Sequence, residues 1–181
     1  GDGESTPEAE DGDIVADTPG PARTRGEVGF EVPATRPRPR NPWAGGHVPA
    51  LLSRLHRALD RRDLSRLELR QVTRYRNEHT SDPRVRLLLG HAFVRRGWLT
   101  AALDQYERAL GLDLGTRGDP ALLTTLVRIA RSESLTARAS AIVAAAYAGE
   151  ATGAVERAIG REHDAAVRAR LDALRARLAG L

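Results

Sequence analysis

The chain has 181 residues, a formal net charge of +4 and a sequence pI near 10.5. Its hydrophobic share of 41% can form a core, but aromatics supply only 4%, so that core is built from Leu, Ala and Val, small side chains that suit helices packed at close range. All 28 cationic residues are arginine and cysteine is absent, which excludes a phosphate-loop lysine, a kinase strand lysine, a Schiff-base lysine, disulfides, zinc fingers and thiol nucleophiles together.

Residues 1–46 carry Pro, Gly and acids with almost no apolar periodicity, too little buried surface to offset the entropy of ordering, and are expected to be a disordered linker. Charge is segregated within it. Asp2, Glu4, Glu8, Glu10, Asp11, Asp13 and Asp17 give −7 before the first base, Arg23. Arg36, Arg38 and Arg40 are then threaded through Pro37, Pro39 and Pro42, and "RPRPRNP" fits R-x-x-P-x-x-P. That spacing lets an extended proline helix meet a groove lined with aromatics, although a stiff spacer has the same composition.

From residue 47 to residue 181 the pattern is helical. Leu51, Leu52, Leu55 and Leu59 follow helical spacing, as do Leu64, Leu67, Leu69 and Val72 after the break at "RRDLS", where Asp63 and Ser65 are candidate caps. "TSDP" at 80–83 starts the next unit, because proline is tolerated in a first helical turn and not later. A third hairpin is expected from about 120 to 147, split near "RSES", then helices over roughly 152–160 and 164–178, about eight in all. No run approaches the roughly 18 apolar residues of a membrane span, and no basic start followed by an apolar core marks a signal peptide. A cytoplasmic location without membrane contact is therefore expected. With no methionine even at position 1, the sequence reads as a piece of a longer protein.

Residues 83–116 resemble one tetratricopeptide repeat, whose pattern is W-x-x-L-G-x-x-Y, then A-x-x-x-F, then P. Leu89 and Gly90 stand at the Leu-Gly pair, Phe93 at the tyrosine, Ala102 at the alanine, Tyr106 at the second aromatic and Ala109 at the next small position. Arg86 and Leu114 replace the tryptophan and the final proline. Small residues at 90 and 102 let two helices approach, large ones at 93 and 106 fill the space beside them, and Gly97 stands where the chain must leave the first helix. The resemblance implies an all-α fold of antiparallel hairpins stacked as a short array, with the flanking hairpins as atypical repeats or caps, since about three units are needed to bury one another's faces. A compact bundle that is not a repeat array remains an alternative. Residues 47–181 also resemble, in general layout, the region that follows the catalytic domain in some bacterial, notably myxobacterial, serine/threonine kinases and related signalling proteins. That resemblance implies regulation or partner capture. It does not imply phosphoryl transfer, because the chain has no glycine-rich loop, H-R-D or D-F-G.

In such an array the first helix of each unit lines a concave groove, and the family's geometry puts Arg84, Leu87, His91 and Arg95 there, facing a protein or peptide partner of acidic character. A second candidate surface is an arginine stripe. Arg62, Arg66, Arg70 and Arg74 recur every four residues on one helix face with Arg76 beside them and only Asp63 as local counter-charge. The stripe is open to three readings: a solvated face, a site for an acidic protein or nucleic acid, or a seat for the chain's own acidic start. Nucleic acid suits the +8 carried by residues 48–181 (23 arginines against 15 acids), yet interspersed acids and the lack of an aromatic platform count against it. No enzyme activity and no cofactor or metal is expected. The histidines at 47, 56, 79, 91 and 163 have no ligand spacing, "REHD" at 161–164 reads as a helix junction, and no G-x-S-x-G or G-x-G-x-x-G occurs. In the last helix Val167, Leu171, Leu174, Leu178 and Leu181 form a narrow seam that fits either a cap on the array or a dimer contact.

Overall fold

The computed structural model describes residues 28–181. They form helices α1 (Ala50–Leu59), α2 (Arg66–Glu78), α3 (Pro83–Arg95), α4 (Leu99–Leu112), α5 (Leu122–Ala130), α6 (Thr136–Tyr147), α7 (Thr152–Arg161) and α8 (Ala165–Ala179). Two 3-10 turns, Leu114–Gly118 and Ala148–Ala151, lie between them, and no strand occurs among the described residues. Consecutive helices pair as hairpins, α3 with α4, α5 with α6 and α7 with α8. Between hairpins, first helices touch first helices (α1 with α3, α5 with α7) and second touch second (α4 with α6, α6 with α8), the pattern of a stacked array.

Local chemistry starts and stops these helices. Ser65 closes a reciprocal capping box with Glu68, each side chain bonded to the other's backbone N–H. Asp82 accepts the Arg84 N–H at 3.0 Å with Pro83 in the first turn, and Asp164 accepts from Ala166 and Val167. Gly97, at φ +75°, makes the left-handed exit from α3 that a side chain would resist.

The core centres on α3, where Val85, Leu87, Leu88, Leu89, Ala92 and Phe93 are all buried. Gly90 is the point of closest approach, since a Cβ there would lie within 3.0 Å of three ring carbons of Tyr106 on α4. Ala102 and Tyr106 are themselves fully buried. Leu171, Leu174 and Leu178 of α8 are buried against α5, α6 and α7, so the leucine seam is turned onto the array, while Leu181 stays exposed. Among the described residues no helix is long and apolar enough to cross a membrane.

The linker expectation is corrected for residues 28–46; residues 1–27 lie outside the described residues. Residues 28–46 are a strap laid along the array. Val28, Phe30 and Trp43 pack against the core, the Gly29 N–H is donated to Glu107, and Arg36 Nη2 reaches the Ala145 carbonyl at 2.8 Å. The Arg40 N–H bonds the Gly115 carbonyl at 2.9 Å and its guanidinium pairs with Asp113. Gly118 makes room for this crossing, because a Cβ there would stand 2.5–2.6 Å from the Arg40 backbone. Periodicity could not reveal the strap, since its few apolar side chains dock singly. Its prolines limit what the chain loses on ordering, and its exposed carbonyls find donors on the array.

Candidate partner-binding groove

The first helices of three successive hairpins enclose a cavity of about 320 Å³ lined by His56, Asp60, Val94, Arg95, Thr125 and Arg128, among others. Asp60, Val94 and Arg128 stand 34 residues apart in sequence and line it together, so the repeat period is carried into the groove itself. Arg128 is exposed and has no carboxylate partner among the described residues, whereas Arg95 Nε is paired with Asp63 at 3.0 Å in a half-exposed contact worth little.

The strap packs on residues of this groove. Trp43 stacks on His56 of α1 with ring centroids 4.0 Å apart and planes 11° from parallel, and its indole N–H is donated to Asp119 at 2.7 Å. The buried Asp119 carboxylate also accepts from His91 Nε2 at 3.1 Å and from the Ala121 N–H at 2.8 Å. Since a carboxylate only accepts, the His91 proton sits on Nε2, and in the neutral ring Nδ1 takes the hydroxyl hydrogen of Tyr106 at 2.7 Å. Burial works to raise the Asp119 carboxyl, but the hydrogen bonds from His91, Trp43 and the Ala121 N–H outweigh it and hold the group below the usual carboxylate range. Burial pushes the His56 imidazole below its ordinary value despite the nearby Asp119, which keeps it neutral and stacked near pH 7.

The four groove candidates fare differently. Arg95 lines the cavity as expected. His91 forms part of its wall, but both ring nitrogens are occupied within the protein, so its role is to tie α3 to α4 and Asp119. Arg84 is turned back onto Asp82 and the His47 carbonyl. Leu87 is corrected outright: with 0% exposure it is a core residue, because α3 is flanked by α1, α2 and α4 and keeps little open face. His56, Thr125 and Arg128 were missed. The 34-residue frame could have found two of them, since Thr125 is 34 after His91 and Arg128 is 34 after Val94.

The arginine stripe is only partly assembled. Arg66, Arg70 and Arg74 lie exposed on α2, and Arg70 and Arg74 have no ion pair among the described residues. Arg62 precedes the helix, where it grips Glu68 through two hydrogen bonds of 2.7 and 3.1 Å. That guanidinium, aided by the Ser65 N–H, holds the Glu68 carboxyl down at about 2. Glu68 is therefore a local counter-charge overlooked beside Asp63, which is spent on Arg95. Arg76 does not join the stripe, being 2% exposed. The proline motif is also engaged internally, with Arg36 and Arg40 bonded to the array and only Arg38 left outward.

Among the described residues no three His, Cys, Asp or Glu side chains gather as a metal site. Comparison with family models, with characterised proteins and with solved structures finds no match to this chain.

Proposed function

We propose that the chain is a non-catalytic protein-interaction module, a regulatory part of a bacterial signalling protein such as a serine/threonine kinase, acting in the cytoplasm, and that the groove between α1, α3 and α5 takes an acidic peptide segment. The observation that carries this reading is the cavity shared by three first helices, with Arg128, which has no ion pair among the described residues, on its rim and the paired Arg95 beside it. An extended peptide fits between the helices, and its carboxylate meets Arg128 without having to displace an internal partner. A non-catalytic role is supported by the His91–Asp119 pair, whose polar atoms are already bonded to Tyr106 and Trp43.

The test uses a fluorescein-labelled peptide of alternating glutamate and leucine. Arg95→Glu with Arg128→Glu is expected to weaken binding at least about tenfold, equivalent to ~1.4 kcal/mol, at unchanged helix content, while Arg70→Glu with Arg74→Glu leaves it alone. Equal binding by the groove variant and the parent rejects the proposal. A nucleic acid would favour the exposed α2 arginines instead, and a labelled single strand whose affinity falls steeply with salt and with the α2 variant would install that reading in its place.

A further inference from the structure

At the junction between the α3–α4 and α5–α6 hairpins the second helices pack and the first helices do not. α4 meets α6 there, whereas α5 packs on α6, α7, α8 and the 3-10 turn before it, with no comparable packing against α1 or α3. The groove lies in that gap, with His56 of α1 and His91 of α3 on one side and Thr125 and Arg128 of α5 on the other. A wall that helix packing does not hold has to be placed by other contacts, and Trp43 supplies them. Its ring stacks on His56, and its indole N–H is donated to Asp119, whose carboxylate also accepts His91 Nε2 and the Ala121 N–H at the start of α5. One flat, stiff side chain is thereby joined to all three helices, directly to α1 and through a single carboxylate to α3 and α5. Hydrogen bonds of this length are directional, so the spacing of the walls follows the width of the indole. The strap that carries Trp43 is itself fastened to both hairpins, by the Gly29 N–H on Glu107 of α4 and by Arg36 on the Ala145 carbonyl of α6.

We infer that Trp43 is the positioning residue of the groove: it sets the separation of α5 from α1, and so links strap docking to peptide affinity, although it does not itself line the cavity. The link to affinity rests on the proposed reading of the groove as a peptide site; the spacing does not. With the indole in place, Thr125 and Arg128 face His56 and Arg95 across a gap of fixed width, and a peptide meets both walls at once. Without it, α5 is free to move with its own hairpin, and contact with one wall no longer brings the other into reach. Linkage makes the effect reciprocal. A groove that binds peptide better when the strap is docked holds the strap more firmly when peptide is bound, by the same factor.

The chain has no cysteine, so Arg57→Cys with Thr124→Cys, both at exposed positions, accepts a pair of nitroxides whose separation reports the α1–α5 spacing in the full chain. Adding Trp43→Ala is expected to shift and broaden that separation at unchanged helix content; an unaltered distribution overturns the inference. With the fluorescein-labelled glutamate–leucine peptide, Trp43→Ala is expected to bind at least about fivefold more weakly than the parent. In the parent, saturating peptide should slow exchange of the Arg40 amide, which reports strap opening, by a similar factor, a response that a Trp43 serving stability alone would not give. Equal affinity in parent and variant, or an Arg40 amide indifferent to peptide, overturns the link. A parent that does not bind the peptide rejects the peptide reading of the groove and the link with it, while the nitroxide pair still decides the spacing, so the two proposals fail in distinguishable ways.

Discussion

The α3–α4 hairpin and the joint that follows it are held together by opposite means. The hairpin closes mainly by shape: Gly90 gives up its side chain and the Tyr106 ring fills the space, with the Tyr106 hydroxyl bonded to His91 Nδ1 as a polar tie at its edge. The joint, residues 113–119 with the strap lying over them, closes by donors and acceptors. At its centre the buried Arg117 guanidinium holds Glu150 with two bonds of 3.1 Å, the Pro37 carbonyl at 2.7 Å and the Leu114 carbonyl at 3.2 Å, while the Arg117 carbonyl accepts the Tyr147 hydroxyl at 2.7 Å. A single residue so links the strap, the 3-10 turn, the end of α6 and the turn after it. Where helices repeat, generic apolar packing suffices; where the stack is interrupted, a polar network specific to this chain takes over.

Breaking the hairpin should have the largest effect. Gly90→Val puts carbon atoms into the Tyr106 ring, which cannot retreat from a fully buried site, and is expected to cost about 3 kcal/mol and lower Tm by about 10 °C. The loss should be global, read as a single shifted thermal transition; an unshifted transition would mean the two helices are not in close contact.

Breaking the joint should cost less and act locally. Arg117→Ala removes several bonds from one charged donor, but Glu150 is 46% exposed and returns to water, so no buried charge is stranded. About 2 kcal/mol is expected, and the Arg40 amide, bonded to Gly115, should exchange with solvent about thirtyfold faster while amides inside α3 keep their protection. Uniform acceleration across both regions would show that strap and hairpin are one cooperative unit.

The smallest effect sharpens the contrast through pH. The Asp113 and Asp119 carboxyls are both held below their ordinary value of 3.8, Asp113 first by the Arg40 hydrogen bond and Asp119 by His91 against the pull of burial. A carboxyl depressed on folding adds stability that is fully present above its unfolded value and is lost as pH falls through the folded one. Acidification below pH 3.8 should therefore loosen the strap, which is held by both carboxylates, before the hairpin, which meets only Asp119 and only through His91. Exchange of the Arg40 amide compared with that of Phe93, corrected for the intrinsic pH dependence, measures the order in which they open.

What could be read from residues alone follows this same division. Helix periodicity, the Ser65 cap, the helix start at "TSDP", the Gly97 exit and the close approach at Gly90 depend on neighbours within a turn or a hairpin, and each was legible in the chain. The groove was half legible. The 34-residue period held for Asp60, Val94 and Arg128, but the exposure of any one position depended on how many helices surround it, which is why Leu87 is core and Arg84 faces a carboxylate in its own turn.

The chain by itself determined an all-helical array with small residues where rods approach, because those preferences act over a few residues and repeat. Only the tertiary structure decided that a proline- and arginine-rich stretch becomes a strap, that His91 is saturated and that Arg128 has no ion pair among the described residues. Those outcomes turn on which donor meets which acceptor across separations such as the 80 residues between Pro37 and Arg117, and no local pattern encodes such a meeting.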